Sequence, residues 1–341
     1  MLLEYANRLQ KEGHEVRVFM PSKELKWYQL SDRWKMRKRG LQTLSPQTVD
    51  WMDNALAIEI FPEPGERYLP DSDILVASAW QTAEFAAELP PEKGVLFYFI
   101  QHYESLWTRH KSQAKKTYDL PCRKLVVSNW IKNNLVEKHG QNSEVLVNPV
   151  DRDMFFCDEK KWNSTRRICM LHHDYDWKGY AEGIETIRGV VAQGRDLQLV
   201  VFGEKLKDPQ PLFDAVGFDF EYHYRPTREQ LRKIYTSCDI FLCPSWYEGF
   251  GLPSMEAMAC RCSLVTTDTG GCLEYAIDGQ TALVSPPRDI NALSQNLIRL
   301  LDDEVLLKAL SENGYRKAHE FNWKENCDRL VYLFEKSLNV K

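Results

Sequence analysis

A strand, a glycine-containing turn and a helix start follow one another in residues 239–256, and this order constrains the fold more than any other feature. The apolar run 239–243 predicts a buried strand of a parallel sheet. Pro253 predicts the first turn of a helix, because its fixed φ suits that position and its missing N–H is not needed there. Parallel strands are joined by crossover helices, so we expect an α/β protein.

The turn has the chemistry of an anion site. The backbone N–H groups of Gly251, Leu252 and Ser254 are expected to point out of the strand's carboxyl end, where helix starts hold phosphate. Glu248 in the turn and Glu256 in the helix are unsuited to phosphate, and hydroxyl groups are their natural partners. An anion beside a polyol indicates a nucleotide sugar. A helix start that merely closes an α/β domain is the alternative.

Residues 244–279 resemble the signature of the retaining glycosyltransferases of the GT-B fold, specifically family 4. The matching residues, in the family's order, are Pro244-Ser245, Glu248–Pro253, Glu256–Ala259, Asp268, Gly270-Gly271, Glu274 and Asp278-Gly279. The resemblance implies an α/β chain of two Rossmann-like, parallel-sheet domains that face a cleft. It also implies a retaining, metal-independent transfer of sugar from a nucleotide-sugar donor.

The alternation of predicted strands and helices agrees with two such domains. Residues 1–150 are expected to form the acceptor-binding domain, and residues 151–320 the nucleotide-sugar-binding domain. Residues 321–341 are expected to form a helix that packs back toward the first domain. Residues 2–20 resemble the family's first helix and second strand, so the first strand and a glycine-rich loop are expected to be absent.

Hydrophobic patterns place the other elements. Strands are predicted at about 14–20, 56–60, 73–77, 94–100, 124–128, 144–148, 167–172, 197–202, from 218, and at 263–267. Helices are predicted at about 80–88, 129–138, 179–193, 227–237, 289–302, 304–319 and 323–338. Residues 21–55 are polar and are predicted to be irregular.

The resemblance assigns the reacting groups. Lys178 matches the family's diphosphate-binding lysine; a surface lysine at a helix start, where the dipole disfavours a cation, is the alternative. Glu248 would face the donor sugar hydroxyls, and Glu256 would hold the ribose. Many relatives have arginine where this chain has His172, which can donate one hydrogen bond to phosphate but lacks a guanidinium fork.

Further donor and acceptor contacts are implied in the same way. The turn residues assigned to the donor are Gly249, Phe250, Gly251 and Leu252. Gly203 resembles the family's close-approach glycine beside the nucleotide, and Tyr222 lies where relatives receive the base. His102 falls near a position that contacts the reacting sugar, and a buried core histidine is the alternative.

Composition limits the other possibilities. The net charge of −5 argues against a nucleic-acid partner. Nine irregularly spaced cysteines form no metal-ligand pattern, and their odd number favours reduced thiols in a cytoplasm. Asp71-Ser-Asp73 precedes a predicted strand, whereas a metal-binding D-x-D motif should follow one. We therefore predict no metal and no cofactor besides the nucleotide-diphosphate sugar, which is a co-substrate.

The acceptor and the membrane question stay open. The acceptor would be a glycan, a glycolipid or a small molecule. The basic segment 33–39 is either solvated or rests on anionic lipid at the inner membrane face. One alternative function is a noncatalytic nucleotide-sugar-binding or scaffold subunit, favoured by His172 and by Arg261, where relatives often have glycine. Another is an enzyme that epimerises the sugar without transferring it.

Overall fold

The computed structural model describes residues 1–21, 42–44, 56, 58–61, 65–204, 216–218 and 220–339, so the basic segment 33–39 lies outside the described residues. The chain divides into two compact units. The first comprises Met1–Leu125, Leu135–Glu144 and Cys327–Lys341, and the second comprises Val126–Asn134 and Val145–Asn326. Residues 126–134 and 145–150, placed in the first domain from sequence, thus cluster with the second unit.

The amino-terminal half contains two sheets within the described residues. Helix α1 (Leu2–Lys11) precedes a sheet of order β1-β3-β2, built from β1 (Val18–Pro21), β2 (Gln42–Leu44) and β3 (Ile58–Phe61), in which β2 runs antiparallel to β3. The other sheet, of order β4-β5-β6-β7, contains β4 (Ile74–Ala77), β5 (Val95–Ile100), β6 (Arg123–Val126) and β7 (Glu144–Val145). The helices among these strands are α2 (Trp80–Ala86), α3 (Lys111–Tyr118) and α4 (Asn129–His139).

The second unit is built on one parallel sheet of order β10-β9-β8-β11-β12-β13. Its strands are β8 (Arg166–His172), β9 (Leu197–Gly203), β10 (Glu221–Tyr224), β11 (Ile240–Cys243), β12 (Ser263–Thr267) and β13 (Ala282–Ser285). Its helices are α5 (Tyr180–Ala192), α6 (Arg228–Ser237), α7 (Leu252–Ala259), α8 (Ile290–Asp302) and α9 (Glu304–His319), and α10 (Trp323–Leu338) follows. Because all six strands are parallel, their carboxyl ends meet at one edge of the sheet.

Apolar side chains of the strands and the covering helices form the core of this unit. Ile168, Val201 and Leu242 are buried among residues of α5, α8 and α9. Side chains cap the starts of α6, α8 and α9, whereas α5 and α7 begin at glycines. Thr227 Oγ1 accepts from the backbone N–H of Gln230, and the Gln230 side chain accepts from Thr227 N–H, which starts α6 with a capping box.

Among the described strands and α-helices, three were not predicted. β2 and β13 are short, and α3 has no apolar stripe because its eight residues are mostly polar, with Ala114, Thr117 and Tyr118 buried. The strand predicted from 14 starts at Val18, and the one predicted from 218 starts at Glu221. The remaining predicted elements are present, most with bounds shifted by a few residues and one, β7, shortened to two residues.

Candidate active site

Lys178 and Glu248 meet at the carboxyl edge of the parallel sheet. Lys178 ends a short 3₁₀ turn after β8, and Glu248 follows β11, the neighbouring parallel strand. The Lys178 Nζ donates to Glu248 Oε1 at 2.8 Å and to Oε2 at 3.0 Å. The side chains are 19% and 11% exposed, so the charges form a largely buried ion pair. The residue predicted to bind the diphosphate and the residue predicted to face the donor sugar are thus in direct contact.

Backbone contacts fix the two loops that carry this pair. Trp246 N–H donates to the Trp177 carbonyl at 2.7 Å, and these residues lie two positions before Glu248 and one position before Lys178. Gly179 has φ +66°, and a Cβ there would lie 2.0 Å from the Pro244 carbonyl oxygen. Glu248 N–H donates to the Thr269 carbonyl at 2.9 Å. The position of the ion pair is therefore set by backbone packing. A residue with a side chain does not fit at position 179.

The turn before α7 has the predicted form with one correction. Gly251 has φ +92°, and a Cβ there would lie 2.5 Å from the Tyr275 hydroxyl, so glycine is required. That hydroxyl lies 3.1 Å from the Phe250 carbonyl and 2.8 Å from the Gly251 carbonyl. Ser254 N–H, predicted to be free for phosphate, instead donates to the Gly251 carbonyl at 3.2 Å. Within the described residues, the N–H groups of Gly251 and Leu252 have no acceptor.

The ion pair leaves little space beneath it. A cavity of about 20 Å³ is lined by the ends of β8 and β11, including Cys243, by the start of α7 and by the pair itself. Such a volume holds roughly one water molecule.

Glu256 lies in α7 and is largely buried beside a second ion pair. Arg228 Nη2 and Asp151 Oδ2 are 3.0 Å apart. Burial raises the pKa of Glu256 to about 7; Arg228 opposes this rise and Asp151 adds to it. Glu256 is therefore ionised only in part at neutral pH, and both of its forms can hydrogen-bond a ribose hydroxyl.

The structure also brings together His172, Gly203 and Tyr222. A Cβ on Gly203 would lie 2.7 Å from the His172 carbonyl oxygen, so the close approach is to the neighbouring strand β8. The His172 ring meets the Tyr222 ring edge-on at 6.5 Å and the Tyr180 ring at 4.7 Å. Burial lowers the pKa of His172, partly offset by Asp174, and this shift favours the neutral imidazole.

His102 belongs to the first unit, where it follows β5. Its ring lies 6.2 Å from that of Trp107, edge to face. Its role toward a reacting sugar stays a prediction.

The described residues contain no group of three or more His, Cys, Asp or Glu side chains placed to hold a metal ion. Asp71-Ser-Asp73 directly precedes β4, as predicted, and Asp71 pairs with Lys93 at 2.9 Å. Among the helices of the described part, none is long and apolar enough to cross a membrane.

Comparison with known proteins places this site in a family. Residues 152–317 match the family model described as glycosyl transferases group 1. This part of the chain belongs to the group 1 glycosyltransferases. The matched range contains Lys178, Glu248 and Glu256. The family 4 assignment stays a prediction.

Curated relatives of this glycosyltransferase domain include two mannosyltransferases. The MMP α-(1→4)-mannosyltransferase of Mycolicibacterium hassiacum is 31% identical over 178 residues, which are 51% of this chain and 43% of that protein. The O-antigen chain mannosyltransferase B of Escherichia coli is 30% identical over 44% of each chain. The chain thus spans about half the length of the curated relatives it matches.

Solved structures resemble the chain over a longer range. Sucrose-phosphate synthase from Thermosynechococcus elongatus has a TM-score of 0.73 at 17% identity and covers 99% of this chain and 92% of its own. The Anabaena protein HepE, in complex with UDP and glucose, has a TM-score of 0.65 at 15% identity and covers 78% of each chain. These likenesses show the GT-B fold, as the sequence predicted.

Two contributors to the site were missed from sequence. Tyr275 holds the carbonyl groups of the turn before α7, and the Arg228–Asp151 pair lies beside Glu256. Tyr275 follows the matched Glu274, but one tyrosine carries no sign of where its hydroxyl points. Arg228 and Asp151 are far apart in sequence, so no local spacing links them.

Proposed function

We propose that the protein is a retaining, metal-independent glycosyltransferase that moves a sugar from a nucleotide-sugar donor to a glycan, glycolipid or small-molecule acceptor. The observation that carries the proposal is the largely buried contact of Lys178 with Glu248 beside the start of α7. The family match over 152–317 and the UDP named in the HepE complex support it.

In this proposal the donor separates the ion pair. The Lys178 ammonium moves to the diphosphate and offsets the negative charge that grows as the sugar leaves. A single preorganised donor of this kind contributes roughly 3–4 kcal/mol to lowering a barrier. The Glu248 carboxylate is then released to accept a hydrogen bond from a donor sugar hydroxyl. Gly251 and Leu252 N–H groups hold the phosphate, and Glu256 holds the ribose.

Retention follows if the acceptor attacks from the face that the diphosphate leaves. The acceptor oxygen forms a bond to the anomeric carbon while the bond from that carbon to the phosphate oxygen breaks. The acceptor proton passes to the departing phosphate, so no protein base is needed. His102 would contact the reacting sugar.

The acceptor and its location are part of the proposal. The N,N'-diacetylbacillosaminyl-diphospho-undecaprenol transferase of Campylobacter jejuni is 30% identical over 114 residues, and its name specifies a lipid-linked acceptor. A lipid-linked acceptor would place this protein at the cytoplasmic membrane face, with segment 33–39 as the peripheral contact. Flotation with anionic vesicles, lost when the arginines and lysines of 33–39 become glutamine, tests this placement.

A panel of UDP, GDP, ADP and dTDP tests nucleotide binding by thermal shift. We expect one of them to stabilise the protein, since a ligand at a hundred times its Kd adds about 2.7 kcal/mol. The matching nucleotide sugar should then be turned over with its anomeric configuration retained, and with EDTA present. No stabilisation by any nucleotide would remove the proposal. An inverted product would exclude retention, and loss of turnover with EDTA would exclude metal independence.

A noncatalytic nucleotide-sugar-binding subunit is the second candidate. It is favoured by His172, whose lowered pKa favours the neutral imidazole and which leaves Lys178 without the neighbouring arginine of many relatives. Arg261 no longer supports it, because its φ of +59° explains why relatives often have glycine there. Nucleotide binding without turnover of any nucleotide sugar would favour this candidate.

A further inference from the structure

An arginine is stacked on Trp246, two residues before Glu248 in the sequence, and the proposed function gives it no role. Arg288 follows β13, and its guanidinium carbon lies 3.6 Å from the centroid of the Trp246 ring. Tyr247 lies between Trp246 and Glu248 in sequence. Burial raises the pKa of the Tyr247 hydroxyl, while Arg288 lowers it and Glu248 raises it. Arg288 and Glu248 therefore both lie within electrostatic reach of one hydroxyl.

The surface under Arg288 is held in place from two sides. The Trp246 indole Nε1 donates to Glu182 Oε1 at 2.9 Å, and its backbone N–H donates to the Trp177 carbonyl at 2.7 Å. A guanidinium that stacks on an indole keeps the N–H groups at its edge for hydrogen bonds. Arg288 is thus preorganised, which lowers the entropy lost when it binds an anion.

No carboxylate in the described part of the chain neutralises the charge of Arg288. Arg288 is exposed, and it forms no ion pair with any described carboxylate. The carboxylate of the adjacent Asp289 caps α8 instead, because its Oδ1 accepts a hydrogen bond from Ala292 N–H at 2.9 Å. Arg288 also has φ +64°, a left-handed conformation that costs free energy in a residue other than glycine. Such conformations concentrate at ligand sites.

The strand order places Arg288 along the path of the donor. Tyr222 lies on the edge strand β10, Lys178 follows β8, Glu248 follows β11, and Arg288 follows the opposite edge strand β13. With the base near Tyr222, the diphosphate at Lys178 and the sugar at Glu248, Arg288 lies beyond the sugar. This ordering depends on the proposed function.

We propose that Arg288, stacked on Trp246, binds a carboxylate or phosphate that the substrate carries beyond the transferred sugar. A guanidinium fork matches both groups through two parallel N–H···O bonds. The anionic group belongs either to the transferred sugar itself or to the acceptor. Both sources present the same chemistry to Arg288, and competition with the donor separates them.

The experiment follows the Trp246 indole N–H signal by NMR, assigned with Trp246→Phe, during titration with glucuronate, glucose 6-phosphate, glucose and inorganic phosphate. We expect saturable shifts with the two anionic sugars and none with glucose. Arg288→Gln should weaken the binding about 10- to 100-fold, as expected for hydrogen bonds between charged groups. Arg288→Lys should recover part of it, because lysine lacks the fork. Arg316→Gln, an exposed arginine in α9, is the matched control and should bind as the wild type does.

The outcomes are separable from those of the proposed function, because this titration needs no nucleotide. No saturable shift in the wild type, or equal binding by a stably folded Arg288→Gln, overturns the proposal. Inorganic phosphate binding as tightly as glucose 6-phosphate means an adventitious ion only and also overturns it. If binding holds, a saturating nucleotide hexose that displaces the anionic sugar assigns the group to the transferred sugar. Simultaneous binding assigns it to the acceptor.

Discussion

Replacing Lys178 with methionine should destabilise the protein far more than loss of a surface ion pair. The change leaves the Glu248 carboxylate, 11% exposed, without the ammonium that lies 2.8 Å and 3.0 Å from its two oxygens. Removing one partner of a fully buried pair costs about 3–5 kcal/mol. Because some exposure remains here, we expect about 3 kcal/mol, at the lower end of that range.

Urea unfolding of the variants of a double-mutant cycle measures this loss of stability. The variants are Lys178→Met, Glu248→Gln and the pair combined. The double variant leaves no unpaired charge, so it should be more stable than Lys178→Met alone, with a coupling free energy of about 2 kcal/mol or more. The Arg195–Asp302 pair is the control, since its contact is also 2.8 Å but its side chains are 33% and 53% exposed. Its coupling should be clearly smaller, because water screens both of its charges.

Additive free energies at Lys178 and Glu248 would refute the reasoning. They would mean that water solvates both charges, so that the donor separates no buried pair. A coupling free energy of the expected size, together with unchanged nucleotide affinity in Lys178→Met, would confirm the buried ion pair. It would also contradict the proposed role of Lys178 toward the diphosphate.

Three further predictions concern the same unit. The pKa of Glu256 is about 7 in the folded protein against 4.5 for a free side chain, so stability should fall as the pH rises from 4.5 to 7, by up to about 3 kcal/mol. Glu256→Gln should remove this difference in the free energy of unfolding between pH 5 and pH 8, measured with urea. An unchanged difference would mean that another group causes it. Gly251→Ala should cost about 1–3 kcal/mol, because its φ is left-handed and the Tyr275 hydroxyl occupies the Cβ position; a smaller loss of Tm than in Gly189→Ala would contradict this. Glu248→Gln should abolish transfer while nucleotide affinity, measured by calorimetry, is kept or increased, since Lys178 is released; a tenfold loss of affinity would contradict the mechanism.

Much of the second unit could be predicted because its signals are local. The apolar strand ending at Cys243, the proline at 253 and the cap at Thr227 each fix a boundary within a few residues. Lys178 and Glu248 were identified because they match the motif of the family that the sequence resembles. Their direct contact was not foreseen, since sequence spacing does not tell which charges pair when several loops end at one edge.

Several matched residues turned out to shape the loops around the site. Gly270 lies against the Trp130 ring, where a Cβ would be 2.5 Å from the indole. Glu274 accepts from the Asn129 backbone and side chain at the start of α4. These contacts join segments more than a hundred residues apart, and no pattern within one sequence reports them. The motif therefore predicted which residues matter, and the structure supplies what each one touches.

Cys243 gives the cavity under the ion pair a built-in chemical reporter. It is one of two half-buried thiols among the nine cysteines, and it lies at the cavity wall, while Cys122 lies in the first unit. The rate of alkylation of Cys243 by iodoacetamide, measured by mass spectrometry, would therefore report how often Lys178 and Glu248 separate. Cys122 is the internal reference. A compound that lodges in the cavity would slow labelling at Cys243 and leave Cys122 unchanged.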